Sequence, residues 1–271
     1  MSTAVAIKTD IAVRIAPDLF FEQLSRAREG VLLLDYDGTI APFSVHRNRA
    51  FPYPTVPELL DCIMSTCRTG LVLISGRPAR EIPPLLGLDP HPEIWGAHGF
   101  ERLYADGCYE VAHVSDHVQH ALTEAEAWLE KEGLHRLTEL KPGAVAVHWR
   151  GLNPGQVEEV RTKAYRALSP IALRTNLLLA EFDGGLELRA RTRTKGDAVH
   201  TILSEVSPDV LVAYLGDDST DEDAFRVLND RGLTVLVRPT YRFTAAQMWL
   251  RPPDELTQFF TDWVRACGGD M

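Results

Sequence analysis

The chain has 271 residues, 45% of them hydrophobic and 24% charged, values that fit a folded globular protein of one large or two small domains. Its formal net charge of −10 argues against broad electrostatic attraction to nucleic acid or to an anionic membrane surface. Four cysteines without CxxC or zinc spacing predict a reduced, cytoplasmic protein, and no window approaches the ~20 apolar residues of a membrane helix.

The first third of the chain alternates helical patterns with short apolar runs. In chain order we expect a helix at 17–29, a strand at 31–34, a helix at 56–68, a strand at 71–74, a helix at 79–86 and a short strand at 93–95, followed by a tight turn at 96–99. The run at 31–34 is continuously apolar, which is typical of a strand buried on both faces of a parallel sheet.

The middle of the chain has a different pattern, because several strands follow one another without helices between them. We expect a helix at 116–132, strands at 135–140 and 144–149, a helix at 155–167, and strands at 171–174, 177–181 and 186–190. Strict alternation then resumes with a helix at 196–205, a strand at 210–215, a helix at 221–228, a strand at 233–237 and a helix at 254–265.

These patterns predict an α/β fold with a doubly wound, mainly parallel, Rossmann-like sheet. We expect the two ends of the chain, residues 1–104 and 191–271, to build this core together. An α+β cap domain, residues 105–190, interrupts it. Because both termini belong to the core, the inserted domain is free to move as a lid over it.

Acidic residues follow two of the predicted core strands. Asp35 and Asp37 come directly after the strand at 31–34, and five acids lie between 217 and 223, after the strand at 210–215. Open α/β sheets bind ligands outside the carboxyl ends of their strands, and clustered carboxylates there need a cation to neutralise them. The two clusters therefore predict one divalent-metal site and an enzyme.

The second cluster has an alternative interpretation as the acidic first turn of a helix, which the helix dipole favours. Five acids exceed what such a turn requires. Asp217, at the end of the strand, is the best candidate ligand, with Asp218 and Asp221 as direct or more distant partners.

Asp35 and Asp37 are two residues apart, which suits a nucleophile beside a general acid/base for phosphoryl transfer. Gly38 permits a tight turn, and Thr39 could hydrogen-bond a phosphate group or cap the loop. The alternative is an ordinary Asp-Gly turn without chemistry.

Ser75 and Gly76 end another predicted strand and could hold a phosphoryl oxygen, although Ser75 would also serve as an ordinary helix N-cap. Lys195 opens the helix after the inserted domain and could neutralise the phosphoryl group. A single lysine is more often a solvated surface residue. We count Lys195 as a candidate only because it lies in the chain between the Ser75 motif and the acidic cluster at 217–223.

Four segments in this order resemble the haloacid dehalogenase superfamily and, within it, the trehalose-6-phosphate phosphatase family. They are residues 34–42 (LDYDGTIAP), 75–77 (SGR), 96–101 (GAHGFE) and 216–225 (GDDSTDEDAF). Residues 141–142 (KP), 148–150 (HWR) and 186–189 (LELR) are similar to cap motifs of that family.

The resemblance implies a role for each matching position. Asp35 would be the nucleophile that becomes an aspartyl-phosphate, and Asp37 the general acid/base. Asp35, the carbonyl of Asp37 and Asp217 would bind Mg²⁺, while Ser75 and Lys195 would hold the phosphoryl group. Asp221 would support either the metal or Lys195. The candidate contacts to the sugar are Arg77, His98, Glu101, Lys141, His148 and Glu187.

The three candidates in the cap, Lys141, His148 and Glu187, could instead be ordinary surface residues, since charged residues on a sheet mostly belong to a solvated face. The chain also departs from the family pattern where proline usually follows Glu-Leu-Arg, because Ala190 stands there. We expect this departure to affect the hinge between cap and core.

The predicted activity is Mg²⁺-dependent hydrolysis of a disaccharide phosphate, trehalose 6-phosphate in the first place. A related sugar phosphate or a cyclitol-containing pseudo-disaccharide phosphate is the nearest alternative, because the core motifs read only phosphate and metal. A non-catalytic carbohydrate-sensing protein on the same fold is the alternative of another class.

Overall fold

The computed structural model describes residues 17–66 and 68–269, so residues 1–16 of the predicted core and Cys67 lie outside the described part. The helices in these ranges are α1 (Pro17–Arg26), α2 (Val56–Ser65), α3 (Pro83–Leu86), α4 (Asp116–Lys131), α5 (Pro154–Thr175), α6 (Lys195–Glu205), α7 (Asp221–Leu228) and α8 (Asp254–Ala266). The strands are β1 (Gly30–Leu34), β2 (Thr69–Ile74), β3 (Glu93–Gly96), β4 (Glu101–Leu103), β5 (Tyr109–Val111), β6 (Thr138–Lys141), β7 (Ala144–His148), β8 (Leu178–Phe182), β9 (Gly185–Arg189), β10 (Leu211–Gly216), β11 (Leu233–Val237) and β12 (Met248–Leu250).

The larger sheet has eight strands in the order β12-β11-β10-β1-β2-β3-β4-β5. The strands from β12 to β3 are parallel, and β4 and β5 add an antiparallel edge. From β1 the chain builds outward through β2 and β3, and after the insertion it returns to β10 on the other side of β1. This reversal creates a crevice at the carboxyl ends of β1 and β10, and it confirms the predicted doubly wound fold.

Strand β1 shows why its sequence is continuously apolar. Leu32 and Leu34 point into a core with α1, α2 and α8, whereas Val31 and Leu33 point into a core with α6 and α7. Successive side chains of a strand alternate between the two faces of its sheet, and here both faces are covered by helices. Because β1 is buried on both faces, its carboxyl end is held in place, and so is Asp35, the residue that follows it.

The smaller sheet is antiparallel, in the order β6-β7-β9-β8, and is built wholly from the inserted part of the chain. Helices α4 and α5 cover one face, where Val145, Val147, Leu186 and Leu188 pack with helical side chains. The alternate residues of these strands include charged groups, and they face the crevice of the larger sheet across a cavity.

The structure corrects the predicted start of the cap. Residues 109–111 were assigned to the insertion, but they form β5 and pair with β4 at the edge of the larger sheet. We therefore place the start of the insertion after β5. Strands β4, β5 and β12 have three residues each, too few to produce a periodic signal in the sequence.

The predicted strand at 171–174 is wrong, because these residues continue α5 through Pro170 to Thr175. Val160, Ala164, Leu168 and Ile171 follow one another at intervals of three or four residues and pack into the core of the inserted domain. This continuous apolar face outweighs the helix-breaking tendency of proline. The predicted helix at 79–86 is a 3₁₀ turn followed by the short α3.

Across residues 17–66 and 68–269, no helix combines the length and the apolar character needed to cross a membrane.

Candidate active site

A cavity of about 600 Å³ separates the carboxyl ends of β1 and β10 from the smaller sheet. Asp35, Ser75, Lys195 and Asp217 contribute to its wall from the core, and Glu187 contributes from the cap. The volume lies in the usual range for sites that enclose a small molecule. Sequence-predicted residues from three strand ends, from the start of α6 and from the cap strand β9 are therefore brought to one place.

Asp35 follows β1 directly and is only 3% exposed. Lys195 Nζ donates a hydrogen bond to Asp35 Oδ1 at 2.6 Å, and Thr39 Oγ1 donates to Oδ2 at 3.2 Å. Burial raises the pKa of Asp35 to about 7, although Lys195 acts in the opposite direction. The carboxylate thus lies in a site where neighbouring positive charge is needed to keep it ionised.

Lys195 is the first residue of α6, which begins with a capping box formed by Thr194 and Asp197. Its ammonium group bridges Asp35 and Asp221, at 2.6 Å and 2.8 Å. Burial alone would lower the pKa of Lys195, but Asp221 and Asp35 outweigh burial and raise it. Lys195 is therefore a fixed positive charge beside the candidate nucleophile.

Asp221 is completely buried, and its carboxylate accepts hydrogen bonds that hold the β10–α7 loop in place. Its Oδ1 accepts from Lys195 and from the Tyr214 hydroxyl, which lies at 2.6 Å. Its Oδ2 accepts from the backbone N–H groups of Asp217 at 3.0 Å and Asp218 at 2.9 Å. Both oxygens are thus already used within the protein.

Asp217 follows β10 and is 2% exposed, and its Oδ1 has no hydrogen-bond partner among the described residues. Burial, reinforced by Asp35 and Asp221, raises the pKa of Asp217 well above its usual range. Gly38 is required opposite this carboxylate, because it has φ +83° and a Cβ atom there would lie 2.3 Å from Asp217 Oδ2.

Asp37 is held by Arg77 in a two-point contact. Arg77 Nε and Nη2 donate to the two carboxylate oxygens of Asp37 at 2.5 Å and 2.7 Å. Ser75 Oγ accepts from the backbone N–H of Arg77 at 3.2 Å, so the turn after β2 sets the position of the guanidinium group. Arg77 was predicted as a sugar contact; its guanidinium group lies at the cavity wall and binds Asp37.

The cap side of the cavity is also a charge network. Lys141 Nζ lies 2.7 Å from Glu187 Oε1 and donates across to the carbonyl of Gly76 at 2.9 Å. His98 Nε2 lies 3.2 Å from Glu187 Oε2. Burial opposes ionisation of Glu187, but Lys141 and His98 together hold its pKa well below its usual range. The cap is therefore closed on the core through Lys141 and His98.

Two predicted site residues, Glu101 and Thr39, lie outside the cavity wall. Glu101 does not line the cavity, because its oxygens accept from the Ala79 backbone N–H at 2.5 Å and from the Tyr109 hydroxyl at 2.8 Å. It supports the turn that follows Arg77. Thr39 is also absent from the cavity wall, is fully buried and donates to Asp35 rather than facing a phosphate group.

The model of the family described as trehalose-phosphatase matches residues 33–247. The chain belongs to the trehalose-phosphatase family. A trehalose-phosphate phosphatase of Mycobacterium tuberculosis is 30% identical over 248 residues, which cover 86% of this chain and 61% of that relative. The chain thus matches less than two thirds of the length of this relative, and the resemblance stated from the motifs is confirmed.

Solved structures similar to this family member include two C-terminal domains from Candida albicans. That of trehalose-6-phosphate phosphatase has a TM-score of 0.75 at 19% identity and covers 94% of this chain and 98% of that one. That of a trehalose synthase regulatory protein has a TM-score of 0.71 at 14% identity and covers 92% and 98%. At these identities the likeness shows the fold alone.

The carboxylates of this trehalose-phosphatase family member fit a divalent cation. One oxygen from each of Asp35, Asp217 and Asp221 lies within 4.8 Å of the others, and Mg²⁺ prefers such oxygen ligands. The Asp217 oxygen without a partner is the atom that a cation would satisfy. Because both oxygens of Asp221 are in use, it is better suited to support this group than to bind it, and Asp218 at the cavity wall directs Oδ1 to the Ser219 N–H.

Sequence reasoning missed Glu139 and Arg47, which both line the cavity. Glu139 is two residues before Lys141 on β6, so the period of a strand places both side chains on one face and could have identified it. His148, a predicted sugar contact, lies with Nε2 2.8 Å from Glu139 Oε2. Arg47 lies in an irregular loop where no periodic signal exists.

Proposed function

We propose that the chain is a Mg²⁺-dependent phosphatase that hydrolyses trehalose 6-phosphate to trehalose and inorganic phosphate, acting in the cytoplasm. The observation that carries this proposal is the convergence of Asp35, Lys195 and Asp217 at the crevice between β1 and β10. Membership of the trehalose-phosphatase family supports the choice of substrate.

In the proposed reaction a carboxylate oxygen of Asp35 attacks the phosphorus atom and forms an aspartyl-phosphate. The bond from phosphorus to the sugar oxygen breaks, and the carboxyl group of Asp37 gives its proton to that oxygen. Asp37 then takes a proton from water, which attacks the phosphorus and releases phosphate from Asp35. The contact with Arg77 keeps the carboxyl group of Asp37 in one orientation during both steps.

Asp35, Asp217 and the backbone carbonyl of Asp37 would hold Mg²⁺, with Asp221 orienting the loop around them. When bound, this ion neutralises negative charge shared by the carboxylates and the phosphoryl group. Lys195 supplies a second positive charge on the side of Asp221. Ser75 and Gly76 lie at the cavity wall, where they support a phosphoryl oxygen.

The alternative is a non-catalytic protein on the same fold, and the C-terminal domain of the Candida albicans trehalose synthase regulatory protein does have this fold. The buried cluster of this chain favours catalysis over that alternative. Asp35 and Asp217 are nearly inaccessible to solvent, and their ionised forms are destabilised by burial unless a cation is present. A purely regulatory domain has no physical need for this arrangement.

Phosphate release from a panel of substrates tests the proposed function. We expect kcat/KM for trehalose 6-phosphate to exceed that for glucose 6-phosphate and for sucrose 6-phosphate by at least ~10-fold, since a cap that hydrogen-bonds the proposed substrate leaves buried groups unpaired with the others. A higher value for a cyclitol-containing pseudo-disaccharide phosphate would assign the nearest alternative. No release from any sugar phosphate with Mg²⁺ present would support the non-catalytic one.

We further predict that the cap reads the sugar through Lys141 and Glu187. Lys141→Ala and Glu187→Ala should each lower kcat/KM for trehalose 6-phosphate by a factor equivalent to roughly 1–3 kcal/mol, because buried partners are left unpaired. Hydrolysis of 4-nitrophenyl phosphate should change little, since this small substrate does not reach the cap.

Lys131→Ala is the matched control, because Lys131 is exposed on the outer helix α4. It should retain both activities. Parallel losses with both substrates in the Lys141 and Glu187 variants would show that these residues are structural and that the cap does not read the sugar.

A further inference from the structure

Arg47 connects three parts of the molecule that the proposed reaction needs together. It lies in a 3₁₀ turn (Arg47–Arg49) in the loop between β1 and α2. Its guanidinium group forms ion pairs with Glu139 of the cap and with Glu81 of the core, the latter at 3.0 Å. Its backbone carbonyl accepts from Arg77 Nη1 at 2.9 Å, and Arg77 is the residue that holds Asp37.

The ion pair between Arg47 and Glu139 is partly shielded from solvent. The side chain of Glu139 is 12% exposed and that of Arg47 is 31% exposed. Burial alone would raise the pKa of Glu139, but Lys141, His148 and Arg47 lower it to about 2. Glu139 is therefore ionised at neutral pH, where it can pair with Arg47.

The loop that carries Arg47 contacts the cap at two further points. The guanidinium group of Arg150 lies 4.6 Å from the centre of the Phe43 ring, a cation–π distance. Gly151 approaches Val45 so closely that a Cβ atom at position 151 would lie 2.5 Å from the Val45 side chain. Residues 43, 45 and 47 all line the cavity and all contact the cap.

The ion pairs of Arg47 differ from the contacts that Lys141 and His98 make with Glu187, although Lys141 Nζ also lies 3.9 Å from Glu139 Oε2. Those two residues meet Glu187, which we assign to sugar recognition, so a bound sugar competes for them. The Arg47 guanidinium group can instead hold Glu139 and Glu81 at the same time, because its planar donors reach two carboxylates.

We propose that Arg47 is a positioning residue, a latch whose ion pair with Glu139 holds the cap in the closed state. The backbone carbonyl of Arg47 also supports Arg77, which binds Asp37. The proposal rests on the proposed function, because it assigns to Arg47 the closure that a disaccharide phosphate requires. Closure excludes water and completes the contacts to the sugar. Without the latch, the open cap becomes more populated, and the apparent affinity for a substrate that needs the closed cap falls.

The first test compares Arg47→Ala, Arg47→Lys and the control Arg49→Ala. Arg49 belongs to the same turn, is exposed and makes no side-chain hydrogen bond or ion pair with the described residues. We expect Arg47→Ala to raise KM for trehalose 6-phosphate about tenfold with kcat changed less than about twofold. Arg47→Lys should be intermediate, since an ammonium group holds one carboxylate at a time, and Arg49→Ala should match the parent.

Two further measurements separate a latch from a general structural role. Hydrolysis of 4-nitrophenyl phosphate by Arg47→Ala should equal that of the parent within about twofold. In the background of Glu139→Gln, Arg47→Ala should raise KM less than about twofold further, because the partner is already weakened. Amide hydrogen exchange in β6 should be faster in Arg47→Ala than in Arg49→Ala without any substrate present.

The latch is overturned if Arg47→Ala and Arg49→Ala show the same KM and the same exchange in β6. It is also overturned if Arg47→Ala loses both activities together with a lower Tm, since that result indicates a structural role. If the parent protein does not hydrolyse trehalose 6-phosphate, the proposed function fails, while the exchange experiment still decides whether Arg47 holds the cap.

Discussion

Asp35→Asn is expected to lower kcat for trehalose 6-phosphate by at least ~10³-fold, in the range for loss of a covalent nucleophile. Asparagine nearly preserves the volume of aspartate, so packing around β1 is retained. The amide is a poor nucleophile, and it removes the negative charge that pairs with Lys195 at 2.6 Å. Steady-state phosphate release under saturating substrate measures the effect.

Acid quenching of the parent during turnover with ³²P-labelled substrate should trap radioactivity on the protein, and Asp35→Asn should trap none. Asp61→Asn is the matched control because Asp61 is exposed on α2, and it should behave as the parent in both assays. Comparable turnover by Asp35→Asn and Asp61→Asn would rule out an aspartyl-phosphate on Asp35.

Removal of divalent cations should abolish turnover and lower the Tm. Burial destabilises the ionised forms of Asp35 and Asp217, so a cation that binds the folded site should stabilise the folded state by mass action. Addition of Mg²⁺ to chelator-treated protein should restore activity and raise the Tm. Ca²⁺ should restore activity poorly, because its larger and more flexible coordination shell disturbs the alignment of the reacting groups.

Asp217→Asn should lose most of the Mg²⁺-dependent rise in Tm, since it replaces the charged carboxylate whose buried Oδ1 has no hydrogen-bond partner among the described residues. Asp61→Asn should keep that rise. Full activity of the parent in excess chelator, or an equal Tm response in both variants, would contradict the assigned metal site.

Some features of the site could be read from the sequence because they depend on local order along the chain. An apolar run that ends in Asp35, and another that ends in Asp217, both place an acid at the carboxyl end of a parallel strand. Strand ends of one sheet lie at one edge, so the two acids meet whatever the details of the loops. The same reasoning located Ser75 after β2, whereas Lys195 was identified by its place at the start of α6 between the other motifs.

Other predicted residues lie elsewhere because spacing does not determine the direction of a side chain in a loop. Glu101 follows a left-handed turn at Ala97 and His98, and β4 then directs it to the backbone of Ala79. Thr39 follows the turn at Gly38 and points inward at Asp35 instead of into the cavity. In both cases a buried hydrogen bond decided the role: the partner of Glu101 is the backbone of Ala79, and the partner of Thr39 is Asp35 itself.

The amino-acid sequence by itself determined the alternating core and the acids at the strand ends, because these depend on local periodicity and on the rules of parallel sheets. Tertiary packing decided that α5 continues through Pro170, since its apolar face rests on the smaller sheet. Tertiary structure alone also brought Arg47 to Glu139, 92 positions apart in the numbering, because an ion pair across a closed cap leaves no periodic trace in either segment.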